Sequence, residues 1–337
     1  MDQLPRENFL LCGDWGTSFL RLRLVDSRDY TIIDEVKSPE GVLSTFKAWQ
    51  NQDELNRFDF YAERLKDKLR ILTASVGLEL GQIPIILSGM ASSSIGMQEL
   101  DYVPLPFSVS GNNASVTLFS NSDVLTNPLL LISGVRNDQD VMRGEEVQLI
   151  GLLHLKEFEF PDINEGVFIF PGTHSKHIYV KQGNIVDFKT YMTGEIFYLL
   201  TEFSILKDSV TSTELNLSIE CNRTAFCQGV EVSRKNDPLH TFFSVRTNSL
   251  FGKLTNSQNF FYLSGLLIGT EINALAGKTS GRLLLCSGSN LFESYQLAFE
   301  VLGLKTNTTF ISPDLIDKGT IAGQVEVFKN SKAISNE

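Results

Sequence analysis

Short apolar or alternating runs open the chain: FLLC, the turn GDWGTS, FLRLRLVD, then TIIDEVKS. Alternation with a period of two, broken once by a Gly-containing turn, predicts a β-hairpin followed by a third strand. Residues 53 to 76 mix charges with apolar positions at helical spacing and predict a helix. IPIILSGM then predicts a buried strand that runs into the small-residue loop ASSSIG, so the first half reads βββ, α, β.

The pattern returns midway along the chain. GVFIF, PGTHSK, HIYV, the turn KQGN and IVDFKTYM predict three more strands, followed by a helix from Gly194 with Ile196, Leu199, Leu200, Phe203 and Leu206 on its apolar stripe. In both halves a Gly-Thr turn, Gly16-Thr17 or Gly172-Thr173, separates the first two strands, the sign of a weak internal duplication. Further on, FFYLSGLLIGTEINALAG predicts a nearly all-apolar helix, and RLLLCSGSNLFESYQLAFEVLG predicts a strand, a tight turn and a helix. In that last helix Leu291, Tyr295, Ala298 and Leu302 share a face and Gly303 stands at the C-terminal cap. Residues 208 to 257 are polar and irregular and read as an elaboration of the second half.

Composition narrows the partners. A chain of 337 residues with 42% hydrophobic content is long enough for two domains. A formal net charge of −11 offers no electrostatic footprint for nucleic acid or an anionic membrane, so an anionic ligand must be held by local devices. The start MDQLPRENFL lacks the features of a secretory signal, and no apolar run is long enough to span a bilayer; a soluble, cytoplasmic protein is expected. The four cysteines have no zinc-type spacing and read as reduced and structural.

Asp14 to Ser18 sit in a turn directly after an apolar strand. Backbone amides there, with the Thr17 and Ser18 hydroxyls, suit a phosphate, and Asp14 suits a Mg²⁺ ion held through water. Gly172, Thr173, His174 and Lys176 offer the same device in the second half, with a point charge added. Between them, Arg143-Gly144-Glu145-Glu146 opens a helix. Adjacent carboxylates at a helix start complement its dipole and also suit a general base, Glu145 first and Glu146 second. Gly288 and Ser289, in a strand-to-helix turn, suit a nucleoside. Met90, Ala91, Ser92 and Ser93, in the small-residue loop, suit a polyol. No G-x-S-x-G elbow accompanies His174, which argues against a Ser/His hydrolase.

Taken in order, GDWGTSFLR, SGMASSSIG, DVMRGEEVQLIG, FPGTHSK, MTGE and LSGLLIGTE resemble the 2-dehydro-3-deoxygalactonokinases, members of the actin-like sugar-kinase superfamily, over nearly the whole chain. The resemblance implies an α/β fold of two actin-like (ribonuclease H-like) lobes, each a βββαβ-type mixed sheet with flanking helices and with ATP in the cleft between them. Residues 1–142 would form the first lobe, 143–160 an interdomain catalytic helix and 161–337 the second lobe, its C-terminal helix free to cross back. The implied reaction moves the ATP γ-phosphoryl, with Mg²⁺, to the 6-hydroxyl of 2-dehydro-3-deoxy-D-galactonate. Gly16, Thr17, Ser18 and Arg21 match the first phosphate hairpin. Glu145 stands where the superfamily carries a catalytic aspartate, and Ser287-Gly288-Ser289 stands where it carries a Gly-Gly adenosine turn. A carboxylate-bearing substrate needs a cation, for which Arg143, Arg136 and Lys176 are available. A kinase of the same fold for another sugar or acid, and a non-catalytic sensor, stay open, as does the oligomeric state, a homodimer included.

Overall fold

The computed structural model describes residues 8–119, 123–155, 165–211, 216–235, 237–275 and 281–335. Contacts divide the chain into two compact units: Met1–Asp162 with Gly183–Asp187 and Leu315–Glu337, and Ile163–Gln182 with Phe188–Asp314. The segment expected to bridge two lobes, 143–160, falls inside the first unit, and the expected boundary at 160/161 lies outside the described residues.

The first unit opens with β1 (Phe9–Trp15), β2 (Leu20–Asp26) and β3 (Thr31–Ser38), an antiparallel meander. Helices α1 (Val42–Gln50) and α2 (Arg57–Val76) follow, then β4 (Ile85–Gly89), parallel to β1. Next come β5 (Val103–Pro104), β6 (Phe107–Ser108), β7 (Val116–Phe119), β8 (Leu129–Ile132), β9 (Val135–Arg136), β10 (Val141–Met142) and α3 (Glu145–His154). The main sheet runs β3-β2-β1-β4-β8-β7. Leu11, Trp15 and Leu22 from this sheet and Tyr61, Leu65 and Leu72 from α2 fill one core, so the alternation of the strands and the stripe of α2 meet as their periods require.

In the second unit β11 (Glu165–Phe170), β12 (Ser175–Lys181) and β13 (Asn184–Tyr191) repeat the meander. The first residues of β13 cluster with the first unit, where Asn184 and Ile185 pair with β6. The chain continues through α4 (Thr193–Glu202), α5 (Glu220–Ser233), α6 (Pro238–Leu250), α7 (Asn256–Asn273), β14 (Arg282–Cys286), α8 (Ser289–Val301), β15 (Thr308–Ile311) and α9 (Pro313–Ser335). Strands in the order β13-β12-β11-β14-β15 reproduce β3-β2-β1-β4-β8. Two ribonuclease H-like motifs of this order make the actin-like fold that the sequence implied.

Two local expectations change. The irregular segment 208–257 folds into α5 and α6, which hid from a search for apolar periodicity because α5 approaches α7 through small residues. A Cβ on Gly229 would lie 2.1 Å from Tyr262 O, and one on Gly265 would lie 2.1 Å from Phe226 O. On α4 the inward positions are Ile196, Phe197 and Leu200, which pack against α7 neighbours such as Leu263, whereas Leu199 and Phe203 are exposed. No helix among the described residues is long and apolar enough to cross a membrane.

Candidate active site

In the first unit the ends of β1 and β4 meet the start of α3. Trp15 is fully buried, donates Nε1–H to Glu40 O at 2.9 Å and packs its ring tilted against Tyr61, 5.1 Å between centroids, which fixes the adjoining Asp14. Gly89, opposite Trp15 in the ladder, has φ +82, and a Cβ there would come 3.0 Å from Trp15 O and 3.3 Å from Asp14 Oδ1. Gly144, the N-cap of α3, has φ +112 and lies against Gly89, a Cβ on it coming within 3.5 Å of Gly89 Cα. Both glycines are required where three backbones crowd beside one carboxylate.

The two glutamates of α3 separate in role. Glu146 is buried and turned back, with both carboxyl oxygens 2.9 Å from the Gly144 amide that donates to them. Burial, reinforced by the neighbouring Glu145, pushes its pKa up to about 8. Glu145 is left beside Asp14. Asp14 keeps some exposed surface yet is tightly walled by protein, and this desolvation raises its pKa; Arg21 and Arg23 oppose the shift, while Asp317 and Glu145 add to it.

The hairpin Gly16-Thr17-Ser18 is closed by the Gly16 amide donating to Phe19 O, with Thr17 and Ser18 exposed at its tip. It is braced by α1, whose Val42 and Leu43 amides donate to Gly16 O and Thr17 O. Gly41 permits this approach, since a Cβ there would lie 2.3 Å from Thr17 O. Arg21, expected at a phosphate, pairs with Asp317 of α9 at 3.0 Å. Gln324 of the same helix, buried, donates to Gly13 O at 2.7 Å and Ser88 Oγ at 2.8 Å, so α9 ties β1 to β4 behind the site. Nothing in the sequence pattern pointed to Asp317 or Gln324.

Arg143, expected at the substrate, is a local anchor. Its guanidinium donates to Ser92 Oγ at 2.6 Å and Leu100 O at 2.8 Å and lies 3.9 Å from the Tyr102 ring centroid. Ala91, Ser92 and Ser93 are buried, and Ser93 Oγ donates to Met90 O at 2.7 Å. The loop Met90–Ser93, a 3-10 turn with its C-cap, is thus held at the end of β4 and tied to the start of α3. Arg136 is exposed on β9.

In the second unit the β11–β12 turn faces the starts of α4 and α8. Thr173 and His174 are exposed, Thr173 O accepts from the Glu195 amide at 3.0 Å, and His174 Nε2 contacts Glu195 Oε2 at 2.6 Å. Lys176 is buried and its Nζ donates to His174 O at 3.0 Å. Gly194 lets α4 touch the turn, because a Cβ there would meet Gly172 O at 2.7 Å. Beside these groups is a cavity of about 400 Å³. Phe197, Leu217, Phe260 and Leu291 give it apolar walls, while Gly172, Thr193, Ser289 and Asn290 line it with polar groups. That size and mixture suit a nucleoside. Gly288, the N-cap of α8, turns the chain there, and its carbonyl accepts from Leu291 and Phe292.

One family model, 2-keto-3-deoxy-galactonokinase, matches residues 14–322. The chain belongs to this family. A probable 2-dehydro-3-deoxygalactonokinase of Rhizobium meliloti (strain 1021) is 31% identical over 301 residues, 86% of this chain and 89% of that one. The 2-dehydro-3-deoxygalactonokinase of Escherichia coli (strain K12) is 31% identical over 224 residues, 65% of this chain and 71% of that one. A crystal structure of a protein assigned as a 2-dehydro-3-deoxygalactonokinase from Sinorhizobium meliloti superposes with a TM-score of 0.75 at 28% identity, covering 96% of this chain and 99% of that one. The match takes in the carboxylate pair at the start of α3 and the Gly-Thr turn of each unit.

Proposed function

We propose that this chain transfers the γ-phosphoryl of ATP to the 6-hydroxyl of 2-dehydro-3-deoxy-D-galactonate. Membership of the family supports the reaction class and the substrate. The observation that carries the chemistry is the division of labour on α3: Glu146 turns inward as a cap, which leaves Glu145 beside Asp14 to accept the proton of the attacking hydroxyl. The first unit takes the sugar acid at Met90–Ser93, with Arg143 holding that loop in shape. The second unit takes the nucleoside in the cavity beside Ser289, with its phosphates on the Gly172–Lys176 turn.

Among the described residues no cluster of three or more His, Cys, Asp or Glu side chains could hold a metal by itself. Asp14 beside Glu145 nonetheless fits Mg²⁺, a hard cation that binds through one or two carboxylates together with substrate phosphates. When bound, Mg²⁺ would neutralise phosphate charge, and Asp14 would help to hold it. The four free cysteines and the demand for ATP favour the cytoplasm.

A coupled assay of ADP release tests the proposal with 2-keto-3-deoxy acids of galacto and gluco configuration against neutral sugars. Turnover should require the acid and favour the galacto form. Glu145→Gln should lower kcat by about 10²- to 10⁴-fold with little change in nucleotide affinity. Near-normal turnover in that variant would remove Glu145 from the role of base.

A further inference from the structure

The second unit contains a buried carboxylate that the proposed chemistry leaves unused. Glu271 is the single charged residue of α7, in the nearly all-apolar run FFYLSGLLIGTEINALAG, and is 2% exposed. A charge is not kept in such a place without several donors around it. Glu271 has three, from three other elements. His177 Nε2 of β12 lies 3.0 Å from Oε1, Tyr295 OH of α8 lies 2.8 Å from Oε2, and Thr193 Oγ1, at the start of α4, donates to the same Oε2.

A carboxylate only accepts hydrogen bonds, so every proton in this network points towards it. His177 carries its proton on Nε2, its ring held against Tyr191 at 4.5 Å between centroids. Because Tyr295 gives its hydrogen to Glu271, its oxygen accepts from Ser175 Oγ at 3.1 Å, and Ser175 Oγ in turn accepts from the Gly172 amide at 3.3 Å. Burial, and then the charge of Glu271, hold the Tyr295 phenol well above its ordinary pKa, so it stays a donor. One carboxylate therefore sets the direction of a chain of hydrogen bonds that ends at the first amide of the phosphate turn. Through Thr193 it also sets the start of α4, where Gly194 touches that turn. Thr193, Tyr295 and Gly172 all line the 400 Å³ cavity.

We infer that Glu271 is a positioning residue for the nucleotide, holding the Gly172–Ser175 turn and the α4 start in the geometry that receives the phosphates. The inference rests on the assignment of this cavity and turn to ATP. Glutamine at 271 keeps one acceptor oxygen and puts an NH₂ donor in place of the other, so either His177 or the Tyr295 and Thr193 hydroxyls lose the acceptor they now have, without a change in side-chain volume.

The test measures ATP affinity by calorimetry and the two KM values on the full chain, for wild type, Glu271→Gln and Tyr295→Phe. Loss of one buried bond to a charged group corresponds to a rise in Kd and KM for ATP of roughly 10- to 100-fold in Glu271→Gln. Tyr295→Phe, which removes a single oxygen, should move the same constants in the same direction by roughly 3- to 10-fold. In both, KM for the sugar acid should stay within about twofold of wild type, a split that a merely structural role would not produce. If Glu271→Gln does not fold, Tyr295→Phe decides alone. A folded variant with wild-type ATP affinity, or a parallel rise in both KM values, would overturn the inference. Wild-type protein that binds ATP but phosphorylates no sugar acid would instead sink the proposed reaction and leave the role of Glu271 to be judged on ATP binding.

Discussion

Glu145 and Glu146 are neighbours in sequence, yet the fold leaves one beside Asp14 and gives the other a buried contact with the Gly144 amide. For Glu146 this has a consequence in pH. Its pKa in the folded protein, about 8, stands above the ordinary value of 4.5, so the fold favours the protonated form. The stability it contributes is complete below pH 4.5 and is lost progressively as pH rises towards 8. Each pH unit crossed between those two values costs about 1.4 kcal/mol, so the whole loss is on the order of a few kcal/mol. Glu146→Gln keeps an oxygen for the Gly144 amide and cannot ionise. Urea denaturation at pH 5 and pH 8 should therefore show a smaller loss of stability for the variant than for wild type; equal losses would mean that Glu146 does not titrate in this window. Arg143, next in sequence to Gly144 and Glu145, was expected at the substrate; its guanidinium donates to Ser92 and Leu100 and lays its face on Tyr102.

At the scale of elements, helices meet through glycines that no apolar periodicity marks. On α3, a Cβ at Gly151 would lie 1.8 Å from Gly319 O and 2.4 Å from Gly323 N of α9; one at Gly323 would lie 1.9 Å from Val147 O. This backbone contact brings α9 close enough for Gln324 to reach β1 and β4 and for Asp317 to reach Arg21. Gly151→Ala should destabilise the protein by about 1–3 kcal/mol or more, since overpacking against backbone cannot relax by a change of rotamer. Thermal melts would show it. Because α9 also braces the β1 and β4 ends that carry Asp14 and Gly89, kcat should fall in the fraction that remains folded. A variant as stable and active as wild type would show that the two helices can part at no cost.

For the molecule as a whole, two copies of one strand order each present a Gly-Thr turn between their first two strands, but around different surroundings. In the first unit the turn is braced by α1 and adjoins the carboxylates. In the second it adjoins an apolar cavity and the Glu271 network. Acceptor and donor of the proposed reaction thus fall to different units, and hydrogen exchange can separate them. ATP alone should protect amides in 172–176, 193–197 and 288–292, and the sugar acid alone should protect those in 88–93 and 143–146. Protection of 88–93 by ATP alone, with none at 288–292, would reverse the assignment.

The hydrophobic pattern was enough to show both meanders, the strand IPIILSGM, the apolar helix α7 and the strand-turn-helix around Ser287, because each buries a face whose period is set by local backbone geometry. It also showed the repeated Gly-Thr turn and the carboxylate pair. It did not show β8 or the strands β5, β6, β9 and β10, which at two to four residues are too short to carry a period, nor α5 and α6, whose packing depends on small residues meeting backbone. Which carboxylate of α3 lies beside Asp14, where the Arg143 guanidinium donates, and which groups surround Glu271 depend on contacts between residues distant in sequence. Sequence spacing sets which side chains share a face of an element. Only the tertiary structure decides what stands opposite that face, and the role of a charged group is set by what it faces.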